Sequence, residues 1–282
     1  MLTLRRKSFS AVSVIATALA LNACAALQPS STTGPKSNEA AYPIVLLNDA
    51  ARVEASTMAW RRLSERNGLP ETAAPAFHPF TSTVASIPAN VPPIMLPKVG
   101  AEPMANEDDT REALRRFIVE WNQLIGAEPA QLSLVERIDE PSGIRVARYR
   151  QRPFRFPLRG EFGNLVIRFR SDRQIVGLSS SCLPHTDRIQ ATLYGLTPKV
   201  TREDVPTLLQ GNPFTVNING REQSLTLTSS NTLAVKELVV YALGSSENES
   251  VELHLAWEID VTNGPIKTIY LDSLTGKVIA SS

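Results

Sequence analysis

The run TREALRRFIVEWNQLI, residues 110–125, carries apolar side chains at Leu114, Phe117, Ile118, Trp121, Leu124 and Ile125. That three-four-three spacing predicts a single apolar helical face. Asp108 and Asp109 precede it, favourably placed against the helix dipole, and Gly126 ends it. A helix this apolar on one side must bury that side, so the segments that follow have to supply a partner. They read with period two, as strands. Residues 144–151 form one and 165–169 a second, with Leu165, Ile167 and Phe169 on one face. A turn at Asp172-Arg173 leads into a third over 174–179.

The pattern repeats toward the end of the chain. A short helix is predicted over 201–210, where Thr201 and Asp204 make a capping-box pattern and Gly211 a stop, although Pro206 removes a donor inside it. Strands over 215–218 and 224–228 flank Asn219-Gly220, a strong hairpin signal. Further strands are predicted over 235–243, 251–261, 266–271 and 277–280. A helix followed by short antiparallel strands, twice over, predicts an α+β chain of two helix-on-antiparallel-sheet units. Upstream, a helix over 49–66 has Asn48 as its N-cap, Gly68 as its stop, and Val53, Trp60 and Leu63 on roughly one face. The prolines between 69 and 103 exclude helix interior and central strand there. Phe77, Phe80, Ile94 and Leu96 can still pack, so the stretch reads as an extended strap laid over the domain surface.

The first residues set the compartment. Arg5, Arg6 and Lys7 precede an apolar run over 9–21, shorter than the roughly 20 residues a spanning helix needs but suited to a signal-peptide core. It ends in Leu21-Asn22-Ala23-Cys24, which resembles the bacterial lipobox. The resemblance implies cleavage before Cys24 and acylation of that cysteine, palmitate included. Ala23-Cys24-Ala25 also fits an ordinary secretory cleavage, which would release a soluble product. Residues 25–38, rich in Ser, Thr, Pro and Ala, suit a flexible tether. No Asp follows Cys24, which by likeness to lipoprotein sorting signals points to the outer membrane, facing the periplasm. The expected organisation is therefore a signal peptide over 1–23, a tether over 24–47, a helix plus Pro-rich strap over 48–106, and two folded units over 107–190 and 191–282.

Those two units resemble a known pair. Leu238-Val239-Val240-Tyr241, Leu255-Ala256-Trp257-Glu258-Ile259, and Thr268-Ile269-Tyr270-Leu271-Asp272 followed by Leu274-Thr275-Gly276-Lys277-Val278-Ile279 resemble the strands and closing hairpin of PepSY-type (cystatin-like) domains of thermolysin-type protease propeptides. In that hairpin Asp272 can cap the turn and Gly276 supplies its positive φ. Arg148-Tyr149-Arg150-Gln151 and Arg159-Gly160 echo the companion FTP segment of the same propeptides. The resemblance spans about 175 residues and implies a non-catalytic binding role, because solo propeptide-like domains act as inhibitors, chaperones or localisers of peptidases. The sequence holds no H-E-x-x-H.

Composition and motifs narrow the chemistry. Against 29 Lys and Arg stand 28 Asp and Glu, so net charge gives no case for nucleic acid. No G-x-S-x-G, P-loop, Rossmann glycine pattern or Cys-x-x-Cys occurs. His78, His185 and His254 lack metal-ligand spacing, so no catalytic residue, metal or cofactor is expected. Cys182 reads as a small buried apolar residue. One local anomaly remains: arginines crowd 145–173, offset only by Glu161 and Asp172. Arg148, Arg150 and Arg152, on one strand face, and Arg168 and Arg170 are candidates for binding an anionic lipid or glycan. The bland alternative is the solvated face of amphipathic strands. The expected function is that of an envelope lipoprotein, membrane-anchored by its lipid, that binds a protein or peptide partner and modulates an envelope peptidase. The rival is a structural protein holding an anionic lipid or glycan on the arginine face.

Overall fold

Asp49, not Asn48, opens the first helix: its carboxylate accepts from Arg52 N at 2.7 Å. In the computed structural model, which describes residues 41–89, 91–100, 104, 106–218, 221–245 and 249–282, strand β1 (Ile44–Leu47) precedes that helix, α1 (Ala50–Asn67). The expected tether thus ends in a strand at its last four residues, while Cys24 and the expected signal peptide lie outside the described residues. Asn48 instead donates to Pro79 O at 2.8 Å and accepts from Ser82. Gly68 ends α1 at φ 63, a left-handed stop that costs glycine little. Trp60 and Leu63 point inward as predicted, but Val53 is exposed and Ala59 and Ser56 take the inner face with them.

The proline-rich strap enters the core rather than lying on it. It contributes β2 (Ala76–Phe77), β3 (Val84–Ser86) and β4 (Ile94–Met95), and Val84, Ile94, Leu96 and Met104 are all nearly inaccessible. Pro88, Pro92, Pro93 and Pro97 keep each strand too short for more than edge pairing, and β4 accordingly adds two residues to a sheet edge. Asn106 caps α2 (Glu107–Glu120), accepting from Asp108 N at 2.8 Å. The predicted continuous helix breaks at Trp121, and α3 (Asn122–Ile125) completes it before Gly126 at φ 81. All six apolar positions that defined the helix are buried.

Their partner is a five-stranded antiparallel sheet in the order β4-β9-β8-β6-β5, made with β5 (Leu132–Asp139), β6 (Ile144–Gln151), β8 (Asn164–Arg170) and β9 (Gln174–Ser180). Leu165, Ile167 and Phe169 alternate inward from β8 onto Phe117 and its neighbours. Between β6 and β8 the chain leaves this sheet for β7 (Leu158–Gly160), which pairs in parallel with β12 (Thr232–Ser245). The second sheet runs β15-β14-β13-β12-β7, with β13 (Ser250–Thr262), β14 (Thr268–Asp272) and β15 (Val278–Ser281). β1 and β14 lie end to end along one side of β13. One face of this sheet is covered by α4 (Thr186–Gly195), by α5 (Val205–Leu209) and by the hairpin β10 (Pro213–Ile218) and β11 (Arg221–Thr226). Asn219-Gly220 lies outside the described residues. The fold is mixed α+β, with five helices among the described residues.

Gly160 fixes the junction of the two sheets. Its φ is 93, and a Cβ there would lie 2.4 Å from Ala242 O. Gly160→Ala combines backbone strain with a clash against backbone, so thermal unfolding should show a loss of about 2 kcal/mol.

Candidate functional site

The arginines are where a site was expected, and β-pairing decides their fate. β6 and β8 present alternate residues to the face away from the helices, which carries Arg148, Arg150, Arg168 and Arg170. Arg148 Nε lies 3.0 Å from Glu136 of β5. Arg168 Nη2 reaches both oxygens of Glu140, at 3.0 and 3.1 Å. Arg150 is half-buried and donates to Asn164 Oδ1 at 2.7 Å and to the carbonyls of Leu158 and Gly160 at 3.0 and 3.3 Å. It thereby clips β6 to β7. Burial, and then the neighbouring charge of Arg159, pushes its pKa down. β6 ends at Gln151, so Arg152 lies one residue beyond the strand. Arg152 and Arg170 are exposed and have no acidic partner among the described residues. Of the five candidates, Arg148 and Arg168 are thus paired with acids and Arg150 with neutral oxygens, while Arg152 and Arg170 have no such partner among the described residues.

A second feature of the same sheet escaped the sequence reading. Among the described residues β5 is its free edge, paired with β6 and with no other strand, and six of its eight residues are exposed. Leu134, Val135 and Ile138 show 42%, 57% and 37% of their surface. A bulge between Leu134 and Glu136 breaks the strict alternation, which hid the strand's period. Its three charged residues face neighbours: Glu136 faces Arg148, Arg137 faces Glu107 of α2, and Asp139, at 3.9 Å, faces Arg145 of β6. The flanking Pro141-Ser142-Gly143 turn and the β-branched Val135 and Ile138 were the available signals.

The second sheet holds the densest polar cluster. Asp272 is 1% exposed and accepts four hydrogen bonds. Tyr42 Oη donates to its Oδ2 at 2.7 Å, and His254 Nδ1 lies 2.8 Å from the same atom. Leu274 N and Thr275 N donate to Oδ1 at 2.9 and 2.8 Å, which is the turn cap expected of this residue, with Gly276 at φ 70. Burial alone would raise the carboxyl, but the His254 and Tyr42 bonds and the two amides outweigh it and hold it at about 2. The Tyr42 phenol is pushed far up, by burial first and by the carboxylate next. His254 Nε2 is buried without a hydrogen bond, its nearest charged neighbour being Glu252 at 3.4 Å. Through these bonds the cluster ties the closing hairpin to β13 and to the residues just before β1.

Cys182 is fully buried and burial pushes its thiol up to about 12, so it acts as a packing residue. Among the described residues no three metal-ligating side chains converge. No protein-family model matches the chain, and no curated protein matches it.

Proposed function

We propose that the chain is a non-catalytic, lipid-anchored lipoprotein of the bacterial envelope that binds an extended segment of a protein partner at β5, an envelope peptidase being the first candidate. The anchor is read from Leu21-Asn22-Ala23-Cys24, and the propeptide-like units from the strand and hairpin residues over 238–279. The single observation that carries the reading is the exposed β5 edge. An edge strand presents a row of unpaired backbone donors and acceptors, and adding a strand there gives affinity through the main chain. Natural edges are usually guarded by outward charges. Here Glu136 and Arg137 are drawn into ion pairs with residues of their own fold, leaving Leu134, Val135 and Ile138 to the partner. The rival, an anionic lipid or glycan on the arginine face, has only Arg150, Arg152 and Arg170 of its five arginines to draw on, since Arg148 and Arg168 are paired with acids.

The double variant Val135→Lys with Ile138→Lys puts charges on that edge. Both side chains are exposed, so stability should stay within about 0.5 kcal/mol of the parent. A complex recovered from envelopes with the full chain should resist high salt and be lost in the variant. A complex dissolved by salt and indifferent to the variant contradicts the reading.

A further inference from the structure

Beyond that reading, and independent of it, one concave site gathers four arginines, of which Arg159 alone has acidic partners among the described residues. The loop from β6 to β7 and the side of β12 enclose a cleft of about 370 Å³ lined by Arg150, Arg152, Arg155, Arg159, Phe154 and Glu237. Each guanidinium has a different standing. Arg159 is held by Glu258 at 2.9 and 3.0 Å, a bidentate pair, so its charge is already met. Arg150 is fixed by three neutral oxygens, which leave its Nε–H and one Nη1–H without an acceptor among the described residues. Arg155 stands over the Phe156 ring at 5.8 Å, a cation–π contact that steers it without neutralising it. Arg152 has no acidic partner among the described residues. Four guanidiniums against Glu258 and Glu237, both of which lie on Arg159, the latter at 3.4 Å, leave two positive charges around the cleft.

Like charges gathered in a half-buried recess repel one another, and Arg150 is pushed toward its neutral form by burial and by Arg159. A dianion in the cleft removes both penalties. Guanidiniums offer planar, paired donors matched to tetrahedral oxyanions. We propose that this cleft binds a dianionic phosphate-monoester group, presented either on a lipid headgroup or free in solution. Arg152 and Arg155 supply mobile contacts, and Arg150 a fixed one, tied to β7 through the carbonyls of Leu158 and Gly160.

The test uses the full chain in detergent, with inorganic phosphate titrated calorimetrically at ionic strength held constant with sodium chloride. Vesicles of phosphatidylcholine with and without phosphatidic acid form the second arm. Arg152→Glu with Arg155→Glu alters two exposed side chains and leaves the fold intact, and Arg61→Glu with Arg170→Glu makes an equal charge change elsewhere. Phosphate binding weakened at least tenfold in the first variant but not in the second supports the site with a soluble ligand. Binding only to phosphatidic-acid vesicles, lost in the same variant, supports it with a lipid headgroup. No binding in either arm, or an equal loss in both variants, overturns it.

Discussion

Asp272→Ala should cost the fold about 3–5 kcal/mol, the range for breaking a buried, hydrogen-bonded charge network. Four donors converge on this carboxylate, two from side chains and two from the turn backbone. Alanine strands all four, which lie in three places: Tyr42 just before β1, His254 in β13, and Leu274 and Thr275 in the turn into β15. Set against a total stability of about 5–15 kcal/mol, the loss is enough to leave a large fraction unfolded at 37 °C. Denaturant titration should show a lowered midpoint with little change in slope.

The same carboxylate sets an acid limb. Its folded value of about 2 lies below the ordinary 3.8, so it stabilises the native state fully above about pH 4. That contribution, roughly 2.5 kcal/mol, is lost as pH falls from about 4 toward 2. Asp272→Asn abolishes the titration while keeping one oxygen for the turn amides, so stability measured across this window should become flatter than in the parent.

Phe117→Ala is the other large effect, expected at about 3–5 kcal/mol. The ring is wholly buried, at the centre of the core that joins α2 to Leu165, Ile167 and Phe169. Side chains of α1 and the strap belong to the same core, so the void would open inside it. Met104 and Leu96 would be exposed together with α2 if the cluster opened, and calorimetry should show one cooperative transition moved to lower temperature.

Much of this fold was legible in the residues. The helix face over 110–125 and the alternation of β6, β8 and β9 come straight from period, because both surfaces must be buried against each other. The closing hairpin was legible from Asp272 and Gly276, since a side-chain cap and a positive φ are local requirements. What stayed hidden depends on partners distant in sequence. β7 is three residues long, and its partner Val240 lies some eighty positions away. The arginine cluster was visible, but Glu136, Glu140 and Glu258 become its partners only once the strands pair. β5 was obscured by its bulge, and α4 by the mixed character of its residues, of which Ile189 and Leu193 alone form a buried apolar pair. Asn48 lost the capping role to Asp49 because its side chain is engaged by Pro79 and Ser82.

The most direct test of the proposed role places a photo-crosslinking residue at Val135 in the full chain within intact envelopes, with Met58 on the exposed side of α1 as the control position. Strand addition at β5 predicts crosslinks from position 135, absent from position 58, to one short segment of one partner, with neighbouring positions along β5 shifting the crosslink along that segment in antiparallel or parallel order. Crosslinks only to lipid or glycan, or the same products from both positions, would contradict it.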